Sequence, residues 1–204
     1  MGEDEEMDQQ FNDIMRIRDN IERWVVYRDA MMWDKFRELW HPEGVMTTTW
    51  KELTHEDFIR NTTERIKQGL NVLHSLGGSA IEVKGNRATA MTKFIFLQRA
   101  TLDGILCDVT CYGRHYDLWE KLHEKWVLFY RGTIADKDRV DPVNNHEKVT
   151  LDQTILEQFP IEYHHLAYMK TKAGHPVDKD CPRMSGGKSL EDLYMKGKKW
   201  LNEE

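Results

Sequence analysis

A chain of 204 residues with 40% hydrophobic and 31% charged residues has the composition of an ordinary globular protein, and its length suits one domain with an appendage. A net charge of −6 argues against a general nucleic-acid surface, which needs clustered basic charge. No apolar run is long enough to cross a membrane, and the acidic start lacks the features of a signal peptide. Three cysteines without a CxxC pair favour reduced thiols and a cytoplasmic location.

The segment 11–40 is predicted to form a long amphipathic helix followed by a short second helix that ends near Trp40. The apolar residues on one face of the first helix are Ile14, Ile17, Ile21, Trp24 and Val25. Continuing that face by one turn leads to Asp29. A carboxylate that enters the core is costly unless it is paired or hydrogen-bonded. Asp29 is therefore predicted to belong to a structural ion pair or to act as an acid/base group.

The region from 41 to 69 is predicted to contain a break, a short strand and a third helix. Residues 41–44 include Pro and Gly and indicate the break, and residues 45–50 form a Thr-rich stretch typical of a strand. Thr54, followed by acidic residues, predicts the capped start of a helix that runs to about Gln68. Gly69 is expected to end that helix.

From residue 71 onward the hydrophobic pattern changes to a period of two, which predicts β-strands. Four long strands are expected, at 71–83, 87–102, 105–121 and 125–135. The short Gly-containing or polar connections between them predict antiparallel hairpins. Helices followed by such a meander predict an α+β fold, in which the N-terminal helices pack on one face of a curved antiparallel sheet.

The two faces of these strands can be distinguished from the sequence. In the third long strand the odd positions from Ile105 to Trp119 are mostly apolar, but His115 and Asp117 make one end of this face polar. We interpret this change as the place where the concave sheet opens into a pocket. In the first long strand His74 shares the core-facing side with apolar neighbours, and the glycine pair that follows predicts a bulge.

The C-terminal part is predicted to be an extension without a core of its own. Residues 136–142 are charged and contain Pro, which predicts the exit from the sheet. Residues 142–204 have only weak amphipathic segments, so we expect them to pack on the domain of residues 7–141 or on a neighbouring subunit. His164 and His165 are adjacent and would not share a helical face, which argues against a metal site there.

Two motifs carry a resemblance to a known family. Residues Tyr27, Asp29, Trp33 and Asp34 form a Tyr-x-Asp-x-x-x-Trp-Asp pattern, and His74 begins a His-x-x-Gly-Gly pattern. Together with the order of elements, they resemble the NTF2-like superfamily over residues 7–141. The SnoaL-like branch, which contains scytalone dehydratase and bile acid 7α-dehydratase, is the most similar. The resemblance implies that Asp29 is an orienting carboxylate and His74 a general base.

The rest of the pocket differs from that of scytalone dehydratase, so its substrate is not implied. That enzyme has a second His where this chain has Gln98, a Tyr near Thr48 and an Asn near His115. The predicted substrate-binding residues are Tyr27, Thr48, Trp50, Gln98 and His115.

The predicted function is a cofactor-independent dehydratase, a lyase of secondary metabolism, that acts on a small and partly hydrophobic carbonyl or hydroxy compound. An imidazole held by a buried carboxylate can remove an acidic C–H proton and return it to a leaving hydroxyl. An isomerase or cyclase of the same fold needs the same base. The alternative of a different class is a non-catalytic module for small-molecule binding or oligomerisation. A cavity at the Asp–His pair favours an enzyme, whereas a filled cone favours the module.

Expected partners follow from the same patterns. No metal is expected, since Asp29 and His74 supply only two candidate ligands. No nucleic-acid or membrane partner is expected. The sheet face with Thr110, Tyr112, Arg114 and Tyr116 is predicted to be exposed, and such faces are usually covered by association. A homo-oligomer is therefore expected, a trimer by resemblance or a dimer as the alternative.

Overall fold

The computed structural model describes residues 3–48 and 51–202, and this part of the chain forms six helices and six strands. The helices are α1 Glu3–Asp29, α2 Trp33–Arg37, α3 His55–Lys67, α4 Gln153–Leu156, α5 His164–Lys172 and α6 Lys188–Asn202. The strands are β1 Trp40–Thr47, β2 Glu52–Thr54, β3 Asn71–Lys84, β4 Arg87–Leu102, β5 Ile105–Leu122 and β6 Lys125–Pro142. None of the helices described here is both long enough and apolar enough to cross a membrane.

All six strands belong to one sheet with the order β2-β1-β6-β5-β4-β3. The predicted antiparallel meander from β3 to β6 is confirmed, whereas β1 pairs with β6 in parallel. The predicted bulge is confirmed too, because the β3–β4 register shifts between Leu76 and Ser79. Gly85 and Gly104 have φ values of 59° and 88° in the tight turns, a conformation that Gly adopts without steric cost.

The start of the sheet differs from the prediction. Residues 41–44 do not break the chain but lie inside β1, where the pairing with β6 is irregular between Trp40 and Val45. The three-residue strand β2 is not predicted by the pattern. The third helix matches its prediction, since the Thr54 hydroxyl accepts the N–H of Asp57 at 3.1 Å and Gly69 follows the helix with a φ of 93°.

The charged end of β6 is strand and not an exit from the sheet. β6 continues to Pro142 instead of ending at residue 135, because its charged side chains have partners. Arg114 Nη2 donates to Asp136 Oδ1 at 2.8 Å. Asp138 Oδ2 accepts the backbone N–H of Leu166 at 2.7 Å, which attaches the strand to the start of α5.

The inner face of the sheet, defined here as the face with the odd-numbered residues of β5, packs against α1. Ile17, Ile21 and Trp24 lie on the predicted apolar face of α1 and are at most 1% exposed. They share a buried cluster with Trp119 of β5 and Leu128 of β6. Burying each such side chain contributes about 1.5–3 kcal/mol. This contact fixes α1 over the sheet and thereby the position of Asp29 at its end.

The C-terminal extension continues this packing with α5 on the inner face. Leu166 and Met169 of α5 form a buried cluster with Cys107, Val109 and Cys111 of β5. α5 therefore packs on the sheet, and the division of the chain into a domain and an extension stays a prediction. The helix closes the part of the inner face that α1 does not reach.

α6 lies on the opposite, outer face of the sheet. Leu193 and Trp200 of α6 join a buried cluster with Ile134 of β6. A side chain at Gly197 would overlap the Tyr116 hydroxyl of β5, so this glycine permits the close approach of helix and sheet. α6 thus covers part of the face whose exposure predicts assembly, and the homo-oligomer stays a prediction.

Candidate active site

A cavity of about 570 Å³ is enclosed by the inner face of the sheet together with α1, α3 and α5. Apolar lining residues include Trp24, Leu53, Phe58, Phe94, Phe96 and Leu166. Polar side chains on the sheet side include His74, Gln98 and His115. A mostly apolar cavity with a few converging polar groups is typical of a small-molecule site.

Asp29 and His74, both predicted from the sequence, form a hydrogen-bonded pair at this cavity. His74 Nδ1 lies 2.8 Å from Asp29 Oδ1, and the His74 backbone N–H donates to Asp29 Oδ2 at 2.7 Å. An ionised carboxylate only accepts hydrogen bonds, so Nδ1 carries the proton. The tautomer that results leaves Nε2 as the ring nitrogen that accepts a proton.

The end of α1 places the carboxylate. α1 ends at Asp29, and the chain then turns at Met31, which has a φ of 56°. Negative charge at a helix C-terminus is unfavourable, because the last carbonyl groups already carry partial negative charge. Asp29 is stabilised there by His74 and by Arg28, whose Nη1 donates at 3.0 Å.

The electrostatics of the pair suit a base. Burial opposes ionisation of Asp29, but the hydrogen bonds from His74 outweigh it, and the pKa of Asp29 lies below its ordinary value of 3.8. Burial also lowers the pKa of His74 below 6.5; Asp29 opposes that shift and Arg28 adds to it. At neutral pH the pair therefore consists of a carboxylate and a neutral imidazole, the protonation state in which histidine accepts a proton.

His115 is the second imidazole of the cavity, as predicted from the polar end of the β5 face. Its ring stacks on Phe94 with centroids 4.0 Å apart. Both ring nitrogens are buried, and neither has a hydrogen-bond partner among the described residues. Burial, then Arg131 and His74, hold the pKa of His115 well below 6.5. A neutral ring with unused hydrogen-bonding capacity can bind a polar group of a ligand.

Gln98 also lines the cavity, and it contacts a lysine that sequence reasoning missed. Lys170 of α5 is 2% exposed and donates from Nζ to Gln98 Oε1 at 2.9 Å. Burial lowers the pKa of Lys170 to about 7, and the charges of Arg65 and Arg28 add to the shift. Lys170 lies in a weakly amphipathic segment, and only the packing of α5 on the sheet brings it inside.

The other predicted substrate-binding residues fall in three different places. Thr48 lines the cavity, and its hydroxyl donates to the Lys51 carbonyl at 3.0 Å. Trp50 lies outside the described residues. Tyr27 is not a lining residue: it packs half-buried on the α1 core, with Lys35 Nζ 5.7 Å from its ring centroid. Residues two apart on a helix point in different directions, so Tyr27 and Asp29 do not reach the same space.

The histidine pair of the extension meets a carboxylate from β6. Ligand atoms of Asp138, His164 and His165 lie within 4.8 Å of one another. Asp138 lies on a distant strand and adds a third potential ligand that the sequence pattern around the two histidines does not predict. Asp138 bonds His165 Nδ1 at 2.8 Å and the N–H of Leu166 at 2.7 Å, so both of its oxygens already serve the N-terminus of α5. We assign the cluster this capping role.

The helices and the six-stranded sheet around this cavity place the chain in the NTF2-like class of α+β folds. Within that class the chain belongs to the SnoaL-like domain family, whose sequence profile matches residues 9–132. The match includes the ends of α1 and β3 that form the Asp29–His74 pair. It stops inside β6, so α4, α5 and α6 lie beyond it.

Known proteins of similar sequence and fold support this placement. Pea pathogenicity protein 2 of Fusarium vanettenii is 31% identical over 200 residues, which cover 93% of this chain and 86% of the relative. A structure from Novosphingobium aromaticivorans, provisionally assigned as a scytalone dehydratase, matches with a TM-score of 0.54 at 13% identity over 68% of this chain and 92% of its own. A hexachlorocyclohexane dehydrochlorinase matches with a TM-score of 0.53 at 8% identity over 69% and 95%. At such identities the two structures show a shared fold alone.

Proposed function

We propose that this chain is a cofactor-independent dehydratase that removes water from a small, partly hydrophobic hydroxy-carbonyl compound. The observation that carries the proposal is the Asp29–His74 pair, with its 2.8 Å contact, at a cavity that side chains leave open. A non-catalytic module has no need of a neutral imidazole oriented by a half-buried carboxylate. The open cavity likewise favours an enzyme over the oligomerisation module.

The proposed reaction is an elimination with one base. Nε2 of His74 removes the proton on the carbon next to the substrate carbonyl, and the C–H electron pair moves toward the carbonyl. The imidazolium is stabilised by Asp29. It then gives its proton to the leaving hydroxyl, the C–O bond breaks, and a C=C bond and water result. His115 and Gln98 line the same cavity, and their proposed role is to hydrogen-bond the carbonyl oxygen as it gains negative charge.

The comparisons are compatible with this chemistry. The names of both structural neighbours denote eliminations, of water in one and of hydrogen chloride in the other. Each elimination requires the removal of a proton, which is the step that the pair is proposed to perform. An isomerase or cyclase of the same fold would use the same base, and the two are separated by their products.

Two further expectations accompany the proposal. All three cysteines are buried, which suits the reduced thiols of a cytoplasmic enzyme, and the compartment stays a proposal. We also propose self-association, through surfaces that α6 leaves uncovered. Light scattering at micromolar concentration tests it, and a stable monomer would contradict it.

The enzymatic proposal is tested with a panel of β-hydroxy ketones and β-hydroxy acids. Formation of the conjugated product is followed by absorbance and by mass spectrometry as a loss of water. Solvent deuterium reports proton abstraction separately, because an isomerase exchanges the proton without losing water. The control is His74→Gln, which keeps a polar ring-sized group but has no basic nitrogen. Elimination that proceeds equally well in this variant would contradict the proposal.

A further inference from the structure

An apolar stripe on the N-terminal half of α1 faces solvent. Met7, Phe11 and Met15 follow one another at intervals of four residues and therefore lie on the same side of the helix. These residues are 64%, 63% and 45% exposed. Single exposed apolar residues are ordinary on a protein surface, whereas three in line on one helix face are typical of a helix that packs against a partner.

This end of α1 is not covered by the described part of its own chain. Residues 4–12 are all exposed. Asp13 is the first buried residue of the helix, and its carboxylate accepts hydrogen bonds from Trp126 Nε1 at 2.8 Å and from Lys121 Nζ at 3.0 Å. Helices in proteins are stabilised mainly by the packing of an apolar face. A partner on the stripe would supply that packing to the first turns of α1.

The charges on the stripe side of α1 are complementary to themselves. Asp4 lies seven residues before Phe11 and Arg18 lies seven residues after it, so all three are on one side of the helix. When two such helices pack antiparallel with Phe11 opposite Phe11, Asp4 of each copy faces Arg18 of the other. Both charged residues are exposed. Arg18 donates to the Ser79 carbonyl at 3.4 Å and has no carboxylate partner among the residues that the structure describes.

We infer that α1 binds a second copy of this chain, as an antiparallel pair of helices related by a two-fold axis at Phe11. The overlap of residues 4–18 spans about 22 Å of helix. A parallel pair would place like charges against each other at Asp4 and at Arg18, which is unfavourable. Three apolar residues from each copy make a small contact, so the dimer should dissociate in the micromolar range.

The inference rests on the proposed self-association, for which it names a surface, and is independent of the proposed catalysis. Sedimentation equilibrium of the full chain measures the dissociation constant of the dimer. Phe11→Glu should raise it at least roughly tenfold, because central apolar residues dominate the affinity of an interface. The matched control is Val26→Glu, which changes a similarly exposed apolar residue of α1 outside the overlap and should leave the dissociation constant unchanged.

A charge exchange tests the register of the two helices without altering the stripe. Asp4→Lys and Arg18→Glu should each raise the dissociation constant roughly fivefold, since two ion pairs are replaced by two like-charge contacts. The double variant restores opposite charges at both contacts and should recover the dissociation constant of the intact protein. Circular dichroism checks that each variant is folded. This set keeps the inference testable if Phe11→Glu is unfolded.

Cross-linking reports the orientation of the helices. Phe11→Cys and Val26→Cys each add one exposed thiol, whereas the three native thiols are buried. In the antiparallel pair the two copies of residue 11 meet at the axis, but the two copies of residue 26 lie about 45 Å apart along the helices. A short bismaleimide should therefore link the Phe11→Cys dimer and leave Val26→Cys unlinked.

Three results would overturn the inference. The first is a monomer at concentrations well above the micromolar range, which would also contradict the proposed self-association. The second is an assembly that Phe11→Glu leaves intact, which would keep self-association but move it to another surface. The third is equal cross-linking of Phe11→Cys and Val26→Cys. His74→Gln should retain the dimer, so a failure of the proposed catalysis is distinguishable from a failure of this interface.

Discussion

Two carboxylates, the fully buried Asp117 and the half-buried Asp29, are paired in different ways. Asp117 accepts two hydrogen bonds from Arg131 at 2.7 Å each, and both side chains have no exposed surface. Asp29 accepts from His74, and its side chain keeps 20% exposure. Both partners contact Trp24: the Arg131 guanidinium lies 4.3 Å from the Trp24 ring centroid, and the His74 ring centroid lies 6.0 Å from it.

The two pairs differ in the basic residue that binds the carboxylate and in whether a ligand can reach the pair. Arginine stays protonated in proteins, so the Asp117–Arg131 pair has one charge state and the core encloses it completely. Histidine changes its charge near neutral pH, and His74 lines a cavity that a ligand can enter. The first pair serves to hold β5 against β6, and the second is suited to move a proton. Disrupting one should therefore affect stability, and disrupting the other should affect turnover.

The largest expected effect is on stability. Asp117→Asn leaves the Arg131 guanidinium in the core without its counter-charge, which should lower the free energy of unfolding by about 3–5 kcal/mol. Urea unfolding followed by tryptophan fluorescence measures it. The matched control is Asp108→Asn, which breaks the exposed pair with Arg99 and should cost less than about 1 kcal/mol. Similar losses in the two variants would show that the buried pair is not a structural ion pair.

The next effect is on turnover. His74→Ala should lower the catalytic rate by at least roughly 10²-fold, equivalent to about 2.7 kcal/mol, since it removes the proposed base. Asp29→Asn should do comparable damage, because it removes the charge that orients the ring and stabilises the imidazolium. The double variant should be little worse than either single variant, as for residues that act as a unit. All three should remain folded.

The controls separate catalysis from folding. His146→Ala changes an exposed histidine and should leave the rate unchanged. Near-full activity in His74→Ala would refute the role of the base. If Asp29→Asn unfolds while its folded fraction shows normal turnover, the Asp29–His74 pair has a structural role like that of Asp117–Arg131.

A smaller effect is expected in the dependence of rate on pH. The working form of His74 is neutral, and its pKa is lowered below 6.5, chiefly by burial. As the pH falls, the rate should therefore decline later than for an ordinary histidine, by about tenfold per pH unit below the lowered pKa. Arg28→Met should move this limb upward, because the Arg28 charge helps to lower the pKa. If the rate of the unaltered protein already falls at a pH above 6.5, the titrating group is not His74. If the fall in rate disappears in Lys170→Met, the titrating group is Lys170.

The same comparison shows what a sequence can reveal of such a site. Asp29 could be predicted because it continues an apolar helix face, and His74 because the phase of β3 places it inward; both are local patterns. The polar end of the β5 face was visible as well. His115 does line the cavity, whereas Asp117 on the same face is buried in an ion pair with Arg131. The strand pattern does not show which of the two residues lines the cavity.

The residues that were missed depend on contacts between distant segments. Lys170 is one of many lysines in the sequence, and it enters the cavity only because α5 folds back over β5. β6 extends beyond its predicted end because the partners of its charged residues, Arg114 and the start of α5, lie far away in the chain. Periodicity reports which side of an element faces inward, but not which distant group meets it there.

The smallest expected effect is that of chelation, for which we predict no change in rate. At the cavity Asp29 Oδ1 and His74 Nδ1 are hydrogen-bonded to each other. These two residues are also too few to hold a catalytic metal, which needs about three protein ligands. In the part of the chain that the structure describes, one group of three side chains has ligand atoms close enough for a metal, Asp138 with His164 and His165. Exhaustive dialysis against a chelator, followed by assay with and without added Zn²⁺, is the measurement.

Loss of activity with recovery on Zn²⁺ would contradict the metal-free elimination. His165→Gln then locates the metal. If chelation no longer changes the rate of this variant, the ion lies at the start of α5. If chelation still lowers the rate, the ion lies at the Asp29–His74 pair, and that pair is a metal site instead of a metal-free base.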